Sequence, residues 1–132
     1  MYNTPNMSQK ASVLIATSSD PRYQQAIHDW ILKMKLYGKH IRLSISGCVK
    51  DRETLMKNIR NAVTCYDVKD LYLINVENDP AYANRKFASS QMEKEAHVND
   101  LHNTQAAIKA EMPKLKTYLY FINKKLDLEL IP

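Results

Sequence analysis

Glycine is scarce in this chain: Gly38 and Gly47 are the only two among 132 residues. Neither follows the first apolar run, so no glycine-rich loop is placed to cradle phosphate, and dinucleotide binding of the usual kind is disfavoured. Cysteine is equally sparse. Two residues, Cys48 and Cys65, cannot build a disulfide scaffold, and free thiols suit a reducing compartment. No apolar stretch approaches the length needed to cross a bilayer. The opening "MYNTPNMSQK" lacks a basic segment followed by an apolar one, so no signal peptide is visible and a cytoplasmic address is expected. Arginine-rich stripes are missing as well. The formal net charge of +5 comes from dispersed lysines, as at Lys33/Lys35, Lys114/Lys116 and Lys124/Lys125. It favours anionic partners in general, while the absence of a basic–aromatic pattern disfavours nucleic acid.

What is present is an ordinary globular composition, 45% apolar and 25% charged, of a size for one core. Residues 1–10 carry no apolar period and read as a flexible arm before a single domain over residues 11–132. "SVLIATS" (12–18) is a nearly continuous apolar run, the pattern of a strand covered on both faces. Asp20 then suits a helix N-cap, and Pro21 the first helical position. Tyr23, Ala26, Ile27, Trp30, Ile31 and Met34 recur at helical spacing, with Gly38 as the expected stop. "HIRLSIS" (40–46) predicts a second strand. Leu55, Met56, Ile59, Ala62, Val63 and Tyr66 predict a second helix opened near Asp51, with Cys65 in the core.

"DLYLINV" (70–76) predicts a third strand, and strand–helix–strand–helix–strand with short joints implies right-handed crossovers and a parallel sheet. After a loop over 77–85, residues 86–112 read as a long polar helix with a thin stripe of Met92, Ala96, Leu101, Ile108 and Met112. Such a stripe suits light packing or a subunit interface. Pro113 should stop this helix. "KTYLYFI" (116–122) and "LDLELI" (126–131) predict two last strands, made antiparallel by a reversal at Asn123-Lys124-Lys125. The expected fold is therefore α/β, a mostly parallel sheet in the order 2-1-3-4 with an antiparallel fifth strand.

Taken in order, these pieces resemble the β-class carbonic anhydrases. That family ends its first strand in Cys-x-Asp-x-Arg, has a glycine-containing turn after the second, and places His-x-x-Cys after the third. Here "SSDPR" (18–22), "RLSISGC" (42–48) and "NVENDPAY" (75–82) stand at those places, and "YLYFINKKLDLELI" (118–131) resembles the closing strand pair. The resemblance implies assembly as a homodimer or larger homo-oligomer. It also implies zinc held by two cysteines and a histidine, but the matching positions carry Ser18, Glu77 and Pro80. Proline has no donor atom, and a serine hydroxyl is far harder to deprotonate than a thiol. No cofactor is expected.

Asp20 and Arg22 match the family's Asp-x-Arg pair. Arg22 is expected to brace Asp20 by charge-assisted hydrogen bonds while Asp20 caps the helix. In open α/β sheets ligands bind beyond the carboxyl ends of the strands, which makes Ser18, Ser19, Asp20, Arg22, Cys48, Glu77 and Asp79 the candidate site residues. A rebuilt metal site from Cys48, Asp20, Glu77 and Asp79 lacks the imidazoles and second thiolate that favour zinc. His97 and His102 are five apart and form no i, i+4 clamp.

Three functions stay open at this point. The leading one is a non-catalytic binding or regulatory protein that uses the crevice for a small polar or anionic ligand. The second is a divergent carbonic anhydrase or other small-molecule enzyme. The third is a basic interaction module for acidic partners, whose binding would weaken with salt and whose lysine-rich face would lie clear of the crevice.

Overall fold

The computed structural model describes residues 11–132; the expected arm over residues 1–10 lies outside them. Five strands form one sheet: β1 (Val13–Ser18), β2 (His40–Ile45), β3 (Asp70–Val76), β4 (Lys116–Ile122) and β5 (Leu128–Ile131). Their spatial order is β2-β1-β3-β4-β5, parallel except for the β4–β5 pair. Three helices connect them: α1 (Gln24–Lys33), α2 (Arg52–Cys65) and α3 (Ser90–Glu111).

All six residues of β1 are buried, because β1 lies inside the sheet and both its faces are covered. Alternation sorts the side chains. Leu14 and Ala16 join Leu71, Leu73, Leu119 and Phe121 beneath α2 and α3. Val13 and Ile15 join Ile74, Val76 and Ile122 beneath α1, where Ile27, Trp30 and Ile31 close the layer. Trp30 meets Tyr72 and Tyr120 edge-on, with ring centroids 5.3 and 5.0 Å away.

Several boundaries differ from expectation for identifiable reasons. A single 3₁₀ turn over Pro21–Tyr23 precedes α1, and Asp20 caps that turn by accepting from Arg22 N. The helix then stops at Lys33, short of Gly38. Lys35 adopts φ 57°, Lys35 N donates to Leu32 O and Leu36 N to Ile31 O, the paired bonds of a Schellman close. Gly38, at φ 84°, serves the following turn. Met34 is consequently exposed and does not belong to the buried face.

Cys65 is exposed, against the expected core position. At 100° per residue it points about 110° away from the face set by Leu55, Met56, Ile59 and Ala62. The long helix starts at Ser90 because the Ser89 hydroxyl accepts from Met92 N. Its buried stripe is Glu93, His97, Leu101, Thr104 and Ile108, while Met92 is exposed. Leu101 and Ile108 lie in it as expected, whereas Glu93 and His97, buried by hydrogen bonding, stand one residue beyond the expected Met92 and Ala96.

Candidate functional site

The crevice forms where β1 and β3, adjacent and parallel, both run out into Asp-Pro turns. Asp20 caps the turn at Pro21–Tyr23, and Asp79 caps the matching turn at Pro80–Tyr82 by accepting from Ala81 N at 3.0 Å. Proline's fixed φ and missing N–H suit both positions. Two nearly buried aspartates thereby stand at the ends of adjacent strands.

Ser18 joins the two turns. Its hydroxyl donates to Asp79 Oδ2 at 2.6 Å and accepts from Asp20 N at 3.1 Å. Asp20 receives Arg22 Nη2 at 2.6 Å and Arg22 Nε at 3.1 Å, besides Arg22 N at 3.0 Å. The side-chain hydrogen bonds from Arg22 hold the Asp20 carboxyl below its ordinary pKa, burial working the other way. Arg22 Nη2 also donates to Asn78 O at 2.8 Å, so one guanidinium ties the first turn to the second. Gln24 donates to the carbonyls of Ser18 and Asp20 and accepts from Arg42.

Glu77 faces the β4–β5 reversal. Its Oε1 accepts from Lys124 N at 3.2 Å, and Lys124 Nζ lies 3.5 Å from Oε2. Its own carbonyl accepts from Tyr23 OH at 2.6 Å. Ser18, Asp20, Arg22, Glu77 and Asp79 therefore meet at one end of the sheet. Ser19 faces solvent. Cys48 is fully buried, its Sγ donating to Ala16 O at 3.3 Å, and burial pushes its thiol up to about 12.

A second polar cluster, behind the crevice, was not anticipated. Asn75 on β3 accepts from Val49 N through Oδ1 and therefore donates through Nδ2, to Tyr82 OH at 3.1 Å and toward His97 Nδ1 at 2.9 Å. Nδ1 must accept, which leaves the proton on Nε2, aimed at Glu93 Oε2 at 3.2 Å. Glu93 Oε2 also accepts from Asn78 N, and Tyr82 OH donates to Asp100 at 2.9 Å. Burial holds the His97 pKa below its ordinary value, with Glu93 opposing. The signal was available in the sequence as the i, i+4 pair Glu93/His97. His102 lies apart, exposed, near Pro132 O.

Beside the crevice a groove of about 410 Å³ is lined by Asp79, Tyr82, Arg85, Ser90, Glu93 and Lys124, among others. Zinc, which the resemblance to carbonic anhydrases implies, finds a poor donor set among the groups present. The serine is engaged by Asp79, Asp20 and Glu77 are bound to Arg22 and Lys124, and Pro80 has no donor. Among the described residues no three His, Cys, Asp or Glu side chains are grouped to hold a metal ion. Nor is any described helix long and apolar enough to cross a membrane.

No family model matches this chain, and no curated protein matches its sequence. Among solved structures it is similar to a carbonic anhydrase from Glaciozyma antarctica, with a TM-score of 0.63 over 96% of this chain and 86% of that one, at 10% identity. The likeness is one of fold: a single α/β domain whose mostly parallel five-stranded sheet, flanked by helices, is of the carbonic anhydrase kind.

Proposed function

We propose that this chain is a zinc-free, non-catalytic protein on a carbonic-anhydrase-like fold, serving as a binding or regulatory protein. The hydrogen bond of 2.6 Å from Ser18 to Asp79 carries this reading. It fills the place where the family would hold a metal with two groups that satisfy each other. A catalytic zinc needs three protein ligands and an open position, and it supplies a bound water of pKa near 7. A neutral hydroxyl, a lysine-paired glutamate and a proline do not make that set.

The ligand reading follows from the mix of charges at this end. The groove beside the crevice carries Arg85, paired with Asp100, and Lys124, paired with Glu77, together with Asp79 and Glu93. A small polar molecule bearing both signs of charge suits it better than a bare anion, which would face two carboxylates. Assembly as a homo-oligomer and a cytoplasmic address belong to the same reading.

The test is metal content and turnover. Protein purified without chelator and re-equilibrated with zinc should hold less than about a tenth of an equivalent per chain and leave CO₂ hydration at its uncatalysed rate. One zinc per chain together with CO₂ hydration would establish the divergent enzyme instead. Small zwitterions raising the melting temperature would then identify the ligand class.

A further inference from the structure

The opposite end of the sheet is built quite differently. In a parallel α/β sheet the helices run back against the strands, so strand beginnings and helix ends share one edge of the molecule. That edge collects Lys33, Lys35 and Lys39 between α1 and β2, Lys69 before β3, and Lys114 and Lys116 at the start of β4. All six are exposed, and among the described residues none is in an ion pair. Lysines that only offset helix dipoles would sit in last helical turns, and four of these six lie beyond any helix terminus by more than two residues or begin a strand.

Between the end of α2 and the end of α3, this edge opens into a groove of about 670 Å³. Its floor is apolar, from Val63, Val68, Met112 and Leu115, which also pack on the core beneath α2 and α3. Its rim carries Lys69, Lys114 and Lys116. The lysines continue past the groove toward β2, three strand spacings from β4, so the basic surface extends about 15 Å. That is longer than a small molecule needs and matches about ten helical residues.

We propose that this end is a docking surface for an acidic amphipathic segment of a partner protein. Its apolar side chains enter the groove and its carboxylates meet the lysines. Charge complementarity selects that occupant over a basic or neutral one. Nucleic acid is the less favoured occupant because the groove has an apolar floor suited to aliphatic side chains and lacks the aromatic side chains that base stacking would need. The surface is independent of the crevice, which lies at the other end of the strands.

The experiment is fluorescence anisotropy on the full chain with three probes. They are a labelled helical peptide alternating Glu and Leu faces, the same peptide with Ser for Leu, and a single-stranded oligonucleotide. The Glu/Leu peptide should bind with an affinity that falls as salt rises, and the Ser version at least tenfold more weakly. Lys114→Glu/Lys116→Glu should weaken binding tenfold or more, the neutral Lys114→Gln/Lys116→Gln pair less. Arg52→Glu, an exposed charge reversal at the start of α2 and so at the other end, should leave it unchanged.

Equal binding of the two peptides would overturn the proposal, as would an oligonucleotide that binds more tightly than either. So would unchanged affinity in a lysine variant whose thermal unfolding matches the parent. Photo-crosslinking from Lys114→p-benzoylphenylalanine, without peptide, checks the remaining occupants. Crosslinks to residues 1–10 or to a second copy would overturn it, and their absence would leave the groove free for the partner.

Discussion

Replacing Ser18 by alanine removes one oxygen from a site with no exposure to solvent, yet it disturbs two partners. Asp79 Oδ2 loses a donor at 2.6 Å while keeping Ala81 N on its other oxygen, and Asp20 N loses its acceptor. A buried group deprived of its partner costs about 1–3 kcal/mol, and more when it is charged. With the Asp79 carboxylate and the Asp20 amide both at nearly buried residues, the sum is about 2–4 kcal/mol. At about 2.1 cal/mol/K per residue, unfolding a chain of 132 residues carries roughly 0.28 kcal/mol/K. A loss of about 3 kcal/mol then lowers the melting midpoint by about 11 °C. Differential scanning calorimetry reads this directly, with urea titration checking that the slope is unchanged. The exposed neighbour serves as control: Ser19→Ala should stay within about 0.5 kcal/mol. A double-mutant cycle with Asp79→Asn should return a coupling of about 1–3 kcal/mol. A midpoint within about 3 °C of the parent would mean that the Ser18–Asp79 bond does not hold the two turns together, and the reasoning about a self-satisfied crevice would fail.

Thiol titration at pH 8 should find one reactive cysteine in the folded protein and two after denaturation, because Cys65 is exposed whereas Cys48 is buried with its pKa near 12; two fast thiols in native buffer would contradict that placement. For His97, burial lowers the folded pKa below 6.5, so the unfolded chain takes the proton first as pH falls. Stability should therefore decline below about pH 6.5, and the decline should flatten in His97→Gln; parallel profiles for the two proteins would refute it. Gly47→Ala should destabilise by about 1–3 kcal/mol, since φ is 76° there and the added Cβ would lie 2.8 Å from Ala81 Cβ; a denaturation midpoint equal to the parent's would show that the Gly47–Ala81 approach is not needed.

Strand and helix order was legible because β1, β2, β3 and β4 each present an apolar run or alternation and the intervening helices repeat every three to four residues. The capping roles were local too. Asp20-Pro21 and Arg22 behave as their residue types dictate, the cap and the brace lying within two residues of each other. Helix ends were less legible. Lys35 closes α1 in a conformation that usually draws glycine, and nothing in "KMKLYGK" marks it. The α3 stripe was misread because Glu93 and His97 are polar letters whose burial depends on Asn75 and Asn78, far along the chain.

The sequence by itself determined that Asp20-Pro21 would end the first strand, that a loop over 77–85 would follow the third, and that the chain would carry an excess of lysine. Those are properties of single residues and near neighbours. Only the tertiary structure decided that Ser18 would give its proton to Asp79, 61 residues away, and that Cys48 would lie under β1 instead of in the crevice. It also decided that lysines scattered from residue 33 to residue 116 would gather on one edge, opposite the carboxylates. The physical reason is the parallel sheet. Crossover connections return each of the four parallel strands to the same starting edge, so residues with no sequence relation become neighbours through strand order alone.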